Sequence, residues 1–126
     1  MDKQTKIAIQ KTLDQIGMPH NVKGYQYSVS AIEKCVEDRA KLNHIVKGLY
    51  AEIAQENNDT VTRVERALRH AIEVAWKRGN ASVFQKLFAY TVDSEKGRPT
   101  NSEFISYITD FVSLYKEEIV NGRYSW

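Results

Sequence analysis

Residues 60–80 read TVTRVERALRHAIEVAWKRGN, and this stretch decides the fold. On a helical wheel at about 100° per residue, Val64, Ala67, Leu68, Ala71, Ile72, Val74 and Ala75 share one side. Thr62, Arg63, Arg66, Arg69, His70, Glu73 and Lys77 gather on the other, with Glu65 and Trp76 near the border. The apolar side is made mostly of small residues and suits close helix packing. The polar side is a basic stripe. Either Thr60 or Thr62 is placed to cap the start, and Gly79-Asn80 is a typical stop. A helix of roughly 60–78 is therefore predicted.

Just upstream, Asn57-Asn58-Asp59 is a short polar turn of residues that tolerate left-handed backbone. A helix over roughly 42–56 precedes it, with Ile45, Val46, Leu49, Ile53 and Ala54 apolar. Two helices joined by so short a turn, the second long and basic, have the outline of a helix-turn-helix.

Working outward, Ile7, Ile9, Leu13 and Ile16 predict a first helix ending at Gly17-Met18-Pro19. A second should run from Gly24 or Tyr25 to Arg39, with Tyr25, Val29, Ile32, Val36 and Cys35 inward. Beyond the basic helix come a short one near 81–88, a loop centred on Gly97-Arg98-Pro99, and a last helix over about 102–118. The class is all-α with about six helices. Residues 1–120 read as one domain, and residues 121–126, which have no periodicity, as a mobile tail.

Composition agrees with this and excludes much else. The chain has 126 residues, 18 Lys+Arg against 16 Asp+Glu, and only six Gly and two Pro. One domain and long helices follow. The longest strictly apolar run, Leu87–Tyr90, is far below the roughly 18 residues of a membrane span. No N-terminal apolar segment suggests secretion, so a cytoplasmic protein is expected, nucleoid-associated when bound. One cysteine rules out an intramolecular disulfide framework, and a cysteine on an apolar helix face is usually a small buried hydrophobe. His20, His44 and His70 lie in separate elements without metal-ligand spacing, so no metal or other cofactor is expected. No phosphate loop or nucleophile motif is present, and the chain does not read as an enzyme.

The net charge of +2 conceals an uneven distribution. Residues 60–80 hold five basic and two acidic side chains, a local +3, leaving the remainder slightly acidic. Arginine can bond guanine O6 and N7 bidentately, and glutamate can accept from the cytosine amino group. Arg63, Glu65 and Arg66, in the first turns, could reach base edges. Arg69 and His70 lie a turn further on and suit phosphate, as does Lys77. The same stripe also fits a solvated face in which Arg69, Glu73 and Lys77 form i,i+4 ion pairs.

The segments LYAEIA (49–54) and TRVERALRHAIEVAW (62–76), with RGN (78–80), LF (87–88), YTV (90–92) and PTNSEFI (99–105), carry a resemblance. So do Ile16-Gly17, Pro19-His20, Lys23-Gly24-Tyr25 and Ala31-Ile32. Together they resemble the C-terminal DNA-binding effector domain of the stage-zero sporulation protein A family, the sporulation master response regulators of endospore-forming bacteria. The resemblance covers most of residues 5–115. Residues 28–47 match loosely, and the extension ending in Trp126 lies outside it.

The resemblance implies a six-helix transcriptional regulator that recognises a short TGTCGAA-type box on double-stranded DNA, usually as tandem copies. It implies that Arg63, Glu65 and Arg66 read bases, with Arg69 and His70 in support. Phe88 and Val92 would face the RNA polymerase sigma subunit, and the last helix would serve packing and contacts between copies. No phospho-acceptor receiver precedes the effector-like part here, so an excised fragment or a stand-alone member is expected. The alternative reading is a stand-alone interaction module that sequesters a full-length relative or RNA polymerase without reading DNA.

Overall fold

A computed structural model describes residues 2–88 and 97–126. They form six α-helices: α1 (Lys3–Ile16), α2 (Lys23–Glu37), α3 (Ala51–Glu56), α4 (Val61–Arg78), α5 (Ala81–Phe88) and α6 (Asn101–Val120). The all-α reading holds. The helix boundaries follow local chemistry. Asp2 caps α1 by accepting from the Gln4 N–H at 3.0 Å. Gly17 ends it with φ 94°, a left-handed conformation that glycine adopts without penalty. Thr100 and Glu103 open α6 with reciprocal side-chain bonds to each other's backbone N–H.

The third predicted helix is where the structure departs. Residues 42–56 are not one α-helix. A 3-10 turn at Arg39–Asn43 and a π-helical turn at Ile45–Tyr50 precede α3, which is only six residues long. α2 correspondingly stops at Glu37, and the extended Asp38 caps the next turn by accepting from Ala40 N–H. The cause lies in which side chains must face inward. Ile45, Leu49, Tyr50, Ile53 and Ala54 are buried while Val46 is 54% exposed. The wider π turn, in which Leu49 N–H reaches back to the His44 carbonyl, brings both Leu49 and Tyr50 to the core.

Two apolar clusters hold the helices together, and α2, α4 and α6 contribute to both. The larger joins α1, α2, α5 and α6 with Ala71, Ile72 and Ala75 of α4. The smaller joins Tyr27, Ala31 and Cys35 of α2, the π turn and α3 with Val64 and Leu68 of α4. Each fully buried Leu or Ile contributes roughly 1.5–3 kcal/mol from removal from water. α4 is thereby fixed along its whole inner side. Its far end is pinned to α1, where Asn80 N–H donates to the Ile16 carbonyl at 2.8 Å.

Two residues of the C-terminal tail, Tyr124 and Trp126, pack against α6. Tyr124 and Trp126 meet Phe111 at ring-centroid distances of 5.1 and 5.8 Å, and Lys86 of α5 donates to the Ser125 and Trp126 carbonyls. The aromatic rings have apolar area to bury, and Phe111 at the edge of the larger cluster provides the place. Both rings cover their own chain.

Candidate nucleic-acid interface

The leading end of α4 is built by three consecutive residues. Asn58 takes φ 52°, the left-handed backbone that turns the chain sharply. Asp59 then points its carboxylate back, and its Oδ1 accepts from Thr60 N–H at 2.8 Å. Thr60 is the cap: its hydroxyl accepts from Arg63 N–H at 3.2 Å. Of the two candidate threonines, Thr60 takes the role, leaving Thr62 free on the surface.

From there α4 runs unbroken for 18 residues. Val64, Leu68, Ala71, Ile72 and Ala75 are buried. Thr62, Arg63, Arg66, Arg69, His70 and Lys77 are all exposed, and Glu65 is half-buried at the margin. The predicted site residues of the helix thus share one solvent-facing strip. Glu65 pairs with Arg69, and Glu73 with Lys77 at 2.9 Å, both at i,i+4. The Lys77 ammonium lowers the Glu73 carboxyl below its ordinary range. Arg69 therefore engages Glu65 rather than Glu73. Among the described residues Arg66 and His70 form no ion pair.

Several neighbours that the sequence reading passed over shape this strip. Asn101, at the start of α6, donates from Nδ2 to the Glu65 carbonyl at 3.1 Å, tying α6 to the middle of α4. Arg98 lies 4.0 Å from Glu73 and lines a groove of about 420 Å³ with Glu65, Arg69 and Tyr50. Lys23 of α2 reaches Asp59 at 3.2 Å. A local sequence signal exists only for Asp59, as a turn residue before a cap. The others are brought in by tertiary packing.

The residues implied in polymerase contact fare differently. Phe88 is 1% exposed and stacks on Phe104 at 5.5 Å, with Tyr107 at 4.7 Å. Its ring belongs to the core. Val92 lies outside the described residues.

Over residues 9–112 the chain matches the family model described as Sporulation initiation factor Spo0A C terminal. This chain belongs to the Spo0A C-terminal family. Spo0A C-terminal domains are DNA-binding effector domains of sporulation and transcription regulation, a regulatory family rather than an enzyme class. The Spo0A match covers α2 through α5 and most of α1 and α6, so the exposed strip of α4 lies wholly inside it. Among the described residues no helix is long and apolar enough to cross a membrane.

Proposed function

We propose that this chain reads double-stranded DNA by sequence, with α4 lying in the major groove of a short TGTCGAA-like box. The observation that carries the reading is the strip on α4. Six exposed polar or basic residues lie on one side of a helix whose other side is buried along its length. Arg63, Glu65 and Arg66 take the bases, Arg69 and His70 the groove edge or backbone, and Thr62 and Lys77 flanking phosphates.

Two features favour this division. Arg66 is uncommitted and sits one turn inside the helix, where a bidentate guanine contact costs no existing ion pair. Glu65 must leave Arg69 to accept from a cytosine amino group, but an exposed i,i+4 pair is worth only about 0.3–0.5 kcal/mol. Such a pair stores the side chains without holding them. Arg69, once released, is free for phosphate.

By the same family resemblance, tandem copies occupy neighbouring boxes, and the segment that begins with α5 meets the RNA polymerase sigma subunit. Burial of Phe88 supports a scaffolding part for that ring beneath such a surface.

Methylation interference tests the groove assignment. Guanine N7 lies in the major groove, so methylation there should block binding at guanines of the box. Binding indifferent to N7 methylation at every guanine would remove α4 from the major groove.

A further inference from the structure

The Asp59 carboxylate is 4% exposed, yet it stands next to the first turn of an exposed basic strip. It is enclosed by four groups from two helices. Tyr27 Oη of α2 donates to its Oδ2 at 2.5 Å, and the Lys23 ammonium lies 3.2 Å from the same oxygen. Thr60 N–H donates to Oδ1, and an Arg63 guanidinium nitrogen lies 4.0 Å from that oxygen. Lys23 and Arg63 thus approach different oxygens of one fixed anion, although their own side chains are 65% and 77% exposed.

Resting on the reading of α4 as the base-reading helix, we infer that Asp59 is a specificity-determining residue whose fixed charge competes with the phosphate backbone for Arg63 and Lys23. An untethered arginine or lysine beside a duplex finds phosphates readily, because its long flexible stem samples many positions and each phosphate contact releases a counterion. Phosphate contacts carry no sequence information. A fixed anion beside the first turn biases the Arg63 guanidinium towards the start of the helix without locking it, the two groups being 4.0 Å apart and the arginine exposed. It also cancels one positive charge at a place where non-specific attraction would otherwise grow. The Tyr27 bond holds the anion itself in place from α2, and its effect, with the Thr60 N–H, is to keep the carboxyl ionised well below neutral pH.

Neutralising Asp59 separates this role from a structural one. Asp59→Asn keeps an acceptor for Thr60 N–H, and Asp59→Ser serves as a second neutral variant. Tyr27→Phe removes the α2 bond but leaves the charge. Binding of each to a box duplex and a scrambled duplex would be titrated over a salt series. The neutral Asp59 variants should bind the scrambled duplex several-fold more tightly, with the box-to-scrambled ratio down about tenfold and the log-log salt slope steeper by about one. Tyr27→Phe should lose stability and keep the wild-type ratio and slope. Neutral variants with wild-type ratio and slope would overturn the inference, as would failure of both to fold, which would make the carboxylate a stability element. A wild-type protein that does not discriminate the two duplexes would instead overturn the reading of α4 itself, and the inference with it.

Discussion

Gly24 of α2 lies directly against the backbone of Ala67 in α4: a Cβ at position 24 would sit 2.0 Å from the Ala67 carbonyl oxygen and 2.6 Å from the Ala71 Cβ. This contact sets the distance between two of the three helices that share both cores. Helix propensity alone favours Gly24→Ala by about 1 kcal/mol. The clash is with backbone that cannot swing aside, and overpacking of this kind costs roughly 1–3 kcal/mol or more. The clash should win. Gly24→Ala should lower the midpoint of urea unfolding, and a raised midpoint would show that α2 and α4 are not this close.

Phe88 is the second test of packing. Its ring lies among Phe84, Phe104 and Tyr107, and truncating such a side chain typically costs about 3–5 kcal/mol. Phe88→Ala should therefore lower the melting temperature of the isolated protein markedly. An unchanged melting temperature would return Phe88 to the surface.

Acid should probe Asp59. The Tyr27 hydroxyl first, and then the Thr60 N–H, lower its carboxyl from the ordinary value near 3.8 to about 2. Its folded value is depressed, so the stabilisation is fully present above the unfolded value and is lost as pH falls through about 2. The stability gap between the wild type and Asp59→Asn should be constant near neutrality and close between about pH 4 and pH 2. A gap that persists unchanged to pH 2 would mean that the carboxylate is not held by these donors.

The strip on α4 should divide by function. Arg66→Ala should cost ~1–3 kcal/mol on the box and relax specificity at one base position. Lys77→Ala should weaken box and scrambled duplexes about equally and reduce the salt slope by about one. Quantitative electrophoretic shifts on singly substituted boxes would distinguish the two. Equal losses on all duplexes for Arg66→Ala would assign it to phosphate.

α4 was legible in the sequence because every signal for it is local: the Thr60 cap, the apolar period and the Gly79 stop all lie within one run. α5 was legible for the same reason. Residues 39–50 were not, because the choice between an α-helix and successive 3-10 and π turns depends on which residues the smaller cluster must receive. The exposed strip could be read from periodicity, whereas Tyr27 and Asp59, 32 residues apart, meet only through the packing of α2 on α4. The tail carries no period at all. Its place is set by Phe111, an aromatic neighbour whose availability only the fold reveals.

The central claim is that the exposed face of α4 reads sequence, and the most direct measurement is an equilibrium titration of one duplex carrying a TGTCGAA-type box and one with the same bases scrambled. At about 0.15 M salt, where the screening length is about 8 Å and non-specific attraction is damped, the box should bind at least about 1,000-fold more tightly. Equal affinity for the two duplexes, or no binding to either alongside capture of a full-length relative or of RNA polymerase, would contradict it.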